Sequence, residues 1–333
     1  MKLQILVPQY KETDEIVKPL LDSLEVQQNI DIKNDLGVII INDGSDVYLS
    51  DELLSRYSFP IEYYKEKHRG VSGTRNACLD YATADYVMFC DADDMFYNAC
   101  GLWIVFREIE MGGFDTLTSA FLEETRDHDT NDPVYITHEM DSTFVHGKIH
   151  RRKYLLKNKI RWNQDLTIHE DSYFNILAQQ LAPNAKYCPT PFYLWRWRDD
   201  SVCRHDPKYI LKTYNNMLDS NTALLHELLK RKRRDIAKVY AATMIYDAYF
   251  TMNKDEWINQ ENKEYRDATE RRFKKYYKEF SKLANELTKE ETTQIVAGLR
   301  NRFYGEGLVL ETETFANWIE RLKKLPDEKE RKK

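Results

Sequence analysis

The chain has 333 residues, 42% hydrophobic and 31% charged, with a formal net charge of −6. That length predicts two domains, or one domain with a large appendage, and the apolar share suits a folded soluble protein. The acidic balance excludes a whole-chain attraction to nucleic acid or anionic membrane. No charged-then-apolar leader opens the sequence and no apolar run approaches the roughly 18 residues that cross a bilayer, so a cytoplasmic chain is expected. Five cysteines (78, 90, 100, 188 and 203) without C-x-x-C spacing argue against a zinc site or a disulfide framework.

In chain order, LQILVPQY reads as a short strand stopped at Pro8, and TDEIVKPLLDSLEVQQ as a helix in spite of Pro19. LGVIIINDGS is a β-branched strand ended by an Asn-Asp-Gly-Ser turn. IEYYKE is a third strand, GVSGTRNACLDYA a helix, DYVMFCDADD a fourth strand and NACGLWIVFREIEMG a further helix. Continuous Val/Ile strands separated by helices predict an α/β fold, its parallel sheet covered on both faces. From 114 the pattern changes. FDTLTSAFLEE and PVYITHEM read as strands, antiparallel to each other, VHGKIHRRKYLLKN as a helix with a basic face, HEDSYFNILAQQLA as a helix with acids in its first turn, and AKYCPTPFYLWRWR as a strand. From about 208 the pattern is helical, and the charged end after Pro326 is expected to fray.

Parallel sheets bind ligands past the carboxyl ends of their strands, where Tyr10, Asp43 and the acids Asp91, Asp93 and Asp94 would lie. Three carboxylates after an apolar strand repel one another unless they are solvated or share a cation. A hard divalent cation, Mn2+ or Mg2+, suits carboxylate oxygens and can bridge a diphosphate; a solvated turn is the plainer alternative. Asp94 is open between an outer carboxylate and the N-cap of the next turn.

Four segments in order, VPQYKE at 7–12, VIIINDGSD at 38–46, HRGVSGTRNACLDYATADYVMFCDADD at 68–94 and HEDSYFN at 169–175, resemble the family 2 glycosyltransferases of the GT-A fold over roughly residues 1–205. The resemblance implies a GT-A type nucleotide-binding sheet with flanking helices. It gives a glycosyltransferase domain at 1–207, with a nucleotide-sugar half (1–113) and an acceptor half (114–207), before an all-helical C-terminal region at 208–325 and a tail at 326–333. It implies an inverting transferase that moves a sugar from a nucleoside-diphosphate donor, a UDP-sugar by preference, to a glycan or other hydroxyl acceptor. Pro8, Tyr10 and Glu12 would line the nucleobase pocket, with Asp43 accepting a hydrogen bond from the base and Arg75 at the nucleotide; Thr74 replaces the usual Ala before it. Asp91 and Asp93 match the Asp-x-Asp pair, for ribose and for the metal–diphosphate. Glu170 and Asp171 match the family's Glu-Asp pair, with Asp171 the general base, although two acids in a first helical turn are also ordinary helix chemistry.

In YLWRWRDDSVCRH, Arg196, Arg198 and Ser201 become candidates for the pyrophosphate and His205 for the metal shell; alternating Trp and Arg also fits a strand with one buried face. The basic runs at 146–162 and 228–238 read most simply as solvated faces; the sharper reading is contact with an anionic polymer or a membrane's inner face. Acceptors implied are a surface polysaccharide, teichoic acid or lipid-linked glycan. A modified base in viral DNA, or nucleotide-sugar binding without turnover, are the alternatives, and the acidic charge disfavours DNA.

Overall fold

The computed structural model describes residues 1–199, 201, 206, 208–307 and 311–326. The chain divides into two compact units, Met1–Ser201 and Val202–Lys333.

The first unit holds β1 (Leu3–Gln9), α1 (Asp14–Glu25), α2 (Ile32–Asp35), β2 (Leu36–Asp43), α3 (Asp51–Leu54), β3 (Ile61–Glu66), α4 (Gly70–Tyr81), β4 (Tyr86–Phe89), β5 (Met95–Phe96), α5 (Gly101–Glu110), β6 (Thr116–Arg126), β7 (Pro133–His138), β8 (Lys148–Arg151), α6 (Arg152–Lys157), α7 (Glu170–Gln180) and β9 (Ala185–Trp195). One mixed sheet runs β3-β2-β1-β4-β8-β6-β9-β5, with β7 on β6. The β1–β4 side is parallel, as the unbroken apolar runs predict: Leu3, Ile5, Leu6 and Val7 on β1 and Ile39 to Ile41 on β2 have no exposed surface. Pro19 sits inside α1 without ending it.

Strand direction fixes the site. Gln9 pairs with Asn42 and Leu6 with Phe89, so the chain leaves β1, β2 and β4 at one edge, at Tyr10, Gly44 and Cys90. The middle strand β8 is antiparallel to both β4 and β6, and β9 is parallel to β6. β9 therefore runs in the sense of β4 and delivers Arg196 to Arg198 to the same edge.

The main departure from expectation lies in the middle of the sheet. The basic stretch expected to form one helix from 145 to 158 is β8 followed by the short α6, and β8 is an interior strand. Side chains alternate across a strand, so Lys148 and His150 share one face and Ile149 takes the other; Lys148 is 1% exposed, and His150 and Ile149 have no exposed surface. Local helical preference loses here to a slot between β4 and β6 that only a strand fills. Gly147, at φ +66, makes the entry: a Cβ there would stand 2.3 Å from Ser119 Oγ. The two-residue β5, antiparallel to β9, is an element that no sequence period reveals.

The second unit is helical among its described residues: α8 (Tyr209–Lys230), α9 (Arg234–Thr251), α10 (Asp255–Ile258), α11 (Lys263–Ala284), α12 (Lys289–Gly305) and α13 (Phe315–Lys323). Trp257, Phe273, Phe303 and Trp318 fill its core. Buried Glu270 takes both Nη atoms of Arg321 at 2.7 Å and Arg266 Nε at 3.2 Å, which offsets the cost of its burial. Its basic run is largely ion-paired: Arg231 with Glu227, Arg233 with Asp235, Arg234 with Glu286 and Lys238 with Glu291. No helix among the described residues is long and apolar enough to cross a membrane.

Candidate active site

Three clusters gather at the carboxyl edge. In the first, Gln9 donates to the carbonyls of Glu12 and Val47 (2.9 and 3.1 Å), fixing the loop after β1. Glu12 accepts the backbone N–H of Tyr10 at 2.7 Å and of Lys11 at 3.2 Å, so its carboxylate braces its own loop. Pro8 is half-buried, while Tyr10 is 42% exposed with its ring 5.0 Å from that of His68. Asp43 is buried, accepts the Arg69 N–H at 2.8 Å and lies 2.9 Å from His68 Nδ1. Gly44 allows this approach: at φ +74, a Cβ would meet His68 N at 2.5 Å.

The second cluster is the acid turn, closed by the Asp94 N–H on the Asp91 carbonyl at 3.2 Å. Asp91 Oδ1 receives Arg75 Nη2 at 2.7 Å. Burial works to raise the Asp91 pKa, but the Arg75 guanidinium outweighs it and holds the group below its usual value. Asp93 is pushed up by burial and by Asp91, and Arg198 Nη1 meets its carboxylate at 3.0 Å. Arg196 Nη1 reaches the Asp93 carbonyl at 3.2 Å, and the Ser201 N–H bonds back to the Arg198 carbonyl. Asp94 is 1% exposed; it accepts Tyr193 O–H at 2.5 Å and the Arg196 N–H at 3.0 Å. Burial, then the charges of Asp93 and Asp91, push it well above the carboxylate range. It pins β9 to the acid turn, which gives the third acid a place that its sequence context left open; it is no helix N-cap.

His146, which sequence reasoning missed, stands behind this turn. It is buried among Phe144, Tyr193 and Trp195, and burial pushes its pKa down to about 3, so its ring is neutral. Among the described residues its Nδ1 makes no hydrogen bond, and it lies 3.6 Å from Asp94 Oδ2. Asp91, Asp94 and His146 each offer a ligand atom within 4.8 Å of the others. Clustered acids beside a neutral imidazole with an unpartnered nitrogen fit a divalent cation. His205, the other histidine considered for a metal, lies outside the described residues.

The third cluster opens α7. His169, just before it, takes the left-handed conformation at φ 62, which costs a residue with a Cβ about 1–3 kcal/mol. Glu170 Oε1 accepts Arg75 Nη1 at 3.0 Å, and Asp171 accepts the Ser172 N–H at 2.8 Å. Burial, then Glu170, pushes Asp171 up to about 7, against the pull of Arg75. A carboxylate poised there can take a proton near neutral pH. Beside the acid turn, Arg126, Asn131, Trp197, Arg198 and Asp199 line an open cleft of about 790 Å³.

The structure thus joins Arg75, Asp91 and Glu170 directly, gathers Asp93, Arg196 and Arg198, and sets Tyr10 beside His68 and Asp43. Tyr193, His146 and Trp162, whose ring lies 4.4 Å from the Arg75 guanidinium, were absent from the sequence expectations. The alternation of Lys148, Ile149 and His150 was the one signal that could have placed His146 at the mouth of a strand.

A mixed sheet whose parallel half ends in acids at one edge, with a helical region after it, is the architecture of nucleotide-sugar-dependent glycosyltransferases of the GT-A type. The sequence profile of glycosyl transferase family 2 matches residues 4–168, and the chain belongs to that family through its N-terminal unit. Among curated proteins it is similar to the uncharacterized glycosyltransferase EpsJ of Bacillus subtilis, 24% identical over 221 residues, which is 60% of this chain and 62% of EpsJ. It is also similar to the glycosyltransferase GlyA of Streptococcus pneumoniae, 26% identical over 228 residues, 61% of this chain and 32% of GlyA. The matched regions therefore span less than two thirds of either relative. Among solved structures, residues 1–349 of S. aureus TarS superpose with a TM-score of 0.61 at 15% identity, covering 92% of both chains.

Proposed function

We propose that the protein is an inverting, divalent-metal-dependent glycosyltransferase that uses a UDP-sugar, with Asp171 as general base and residues 1–113 and 114–207 as its donor and acceptor halves. The carrying observation is the single ion-pair chain Asp91–Arg75–Glu170, which brings the acid turn and the raised carboxylate of Asp171 to one place. Asp171 takes the proton of an acceptor hydroxyl as that oxygen attacks the anomeric carbon. The new C–O bond forms as the bond to the diphosphate breaks on the opposite face, so the configuration inverts. Asp91, Asp93 and the His146–Asp94 pair are the groups that would hold the cation, which when bound supplies charge to the departing diphosphate. Arg196 and Arg198, which gather at Asp93, and Ser201 are assigned to the diphosphate, and Tyr10, with Pro8 beside it, to the base, with Asp43 as the base's hydrogen-bond acceptor. Glu12 braces the loop that carries Tyr10.

UDP is favoured because the structural neighbour TarS 1–349 is described in complex with UDP and with UDP-GlcNAc. A teichoic acid or related surface polymer is the favoured acceptor, since a further relative, 27% identical over 251 residues, is the minor teichoic acid biosynthesis protein GgaB of Bacillus subtilis. Action at the inner face of a membrane would follow from such an acceptor. The basic runs give little support to DNA: Lys148 and His150 are interior, and much of 228–238 is ion-paired within the chain. Thermal-shift screening of UDP-, GDP- and TDP-sugars with and without Mn2+ tests the donor. Stabilisation by a UDP-sugar, enhanced by Mn2+, is expected; stabilisation by a GDP- or TDP-sugar alone would overturn the donor assignment.

A further inference from the structure

In the helical unit, Tyr249 and Phe250 follow Tyr246 by three and four positions on α9, so the three rings share one helix face. Phe315, the first residue of α13, packs against them, its ring 4.6 Å from that of Tyr246 and 5.4 Å from that of Tyr249. Tyr249 and Phe250 are buried, while Tyr246 and Phe315 are half-buried. With Arg300 of α12 and Glu311, these rings line an open pocket of about 290 Å³. Small-ligand pockets begin near that size, at about 300 Å³. Protein interiors leave few voids larger than a water molecule, so rings that only had to pack would close this space.

One part of the lining is charged. Arg300 Nε donates to Glu311 Oε1 at 3.0 Å, and the Tyr249 hydroxyl lies 2.8 Å from Glu311 Oε2 and 2.6 Å from the Glu313 carbonyl, which fixes the carboxylate. The Arg300 guanidinium lies 5.6 Å over the Phe250 ring, and among the described residues its terminal nitrogens make no hydrogen bond. Arg300 and Glu311 are the two charged groups among the described residues that line the pocket, and their charges cancel. An anion would meet Glu311 and a cation Arg300. A wholly apolar ligand would strip water from the pair and replace none of its hydrogen bonds. A neutral polyhydroxyl ring meets neither cost: its hydroxyls donate to the carboxylate and accept from the guanidinium, and its C–H face lies on the aromatic rings. We infer that this pocket binds one neutral sugar residue of a glycan chain, with Phe315 and Tyr246 as stacking faces and Arg300–Glu311 as the hydroxyl-binding pair. The pocket is open, so the chain can continue beyond the bound residue. The site goes beyond the proposed transfer: it uses neither Asp171 nor the acid turn, and it is read by binding without turnover.

The test is saturation-transfer NMR on the full chain with N-acetylglucosamine, glucose and galactose, with saturating UDP and Mn2+ present to fill the donor site. Their β-1,4-linked tetramers probe entry of a chain, and benzoate probes the rival class, an aromatic acid that would use the rings and Arg300. At least one of the three sugars is expected to bind the wild-type chain in the millimolar range, and its tetramer to compete at the same or lower concentration. Phe315→Ala and Arg300→Gln are each expected to weaken that binding about fivefold or more, through the lost stacking face and the lost donors. Should Phe315→Ala fail to fold, Tyr246→Ala takes its place. No sugar binding by the wild-type chain, sugar binding unchanged in the variants, or tighter binding of benzoate than of any sugar overturns the inference; exclusion of the tetramer overturns the assignment to a glycan chain. The comparison of variants reads this pocket whether or not UDP binds, so failure of the proposed transfer and failure of this site are separate results.

Discussion

Replacing Asp171 by Asn should make the protein more stable and less active, by an amount that depends on pH. In the folded chain burial and Glu170 raise Asp171 from 3.8 to about 7. Below about pH 4 the group is protonated in both states and costs nothing. Between about pH 4 and 7 the unfolded chain ionises it while the folded chain keeps its proton, so wild-type stability falls as pH rises and levels off above pH 7. A shift of about three units corresponds to roughly 4 kcal/mol, and the carboxylate's partial access to water trims this to about half. For a unit of this size about 2 kcal/mol is a rise of roughly 4–8 °C in melting temperature. Melting curves of variant and wild type should therefore nearly coincide at pH 4 and separate by several degrees at pH 8, the variant being higher. Turnover of the variant should fall by about a hundredfold or more, and wild-type kcat/KM should lose about tenfold per pH unit below pH 7. A melting difference that is flat with pH, or a variant less stable at pH 8, would refute the argument that Asp171 is held ionised against its surroundings.

Two further predictions follow from neighbouring residues. Asp93→Ala should weaken Mn2+ binding by about tenfold or more in calorimetry while leaving the fold intact, because the half-exposed carboxylate sits on a turn secured by Asp94 rather than by itself. Unchanged Mn2+ affinity would remove Asp93 from the metal shell. Gly147→Ala should destabilise the chain by about 1–3 kcal/mol in chemical denaturation, since a Cβ at φ +66 meets Ser119 Oγ; a neutral result would mean that the entry to β8 yields easily.

The sheet edge was readable because chemistry and period agreed there. YVMF is too apolar and too short for anything but a covered strand, and CDADD can only follow it as a turn. HGKIH shows where such reading stops. Its composition is that of a solvated helix, and only the vacancy between β4 and β6, a long-range property, makes it an interior strand with Lys148 buried. Burial pushes that ammonium down to about 8; the carbonyl oxygens of Phe144 and His146 and the nearby Asp141 hold it. The same blindness hid His146. Glu12 and Arg75 mark a second limit: their motif positions placed them at the site, but their bonds to the Tyr10 loop and to two carboxylates are set by geometry that spacing does not carry.

The central claim is a single displacement at the anomeric carbon with Asp171 as base. Its most direct test is proton NMR of the product formed from UDP-α-GlcNAc, Mn2+ and a hydroxyl acceptor such as a teichoic acid fragment, with wild type and Asp171→Asn in parallel. The account predicts a β-linked product from the wild type and none from the variant. An α-linked product, or equal yield from the variant, would contradict it.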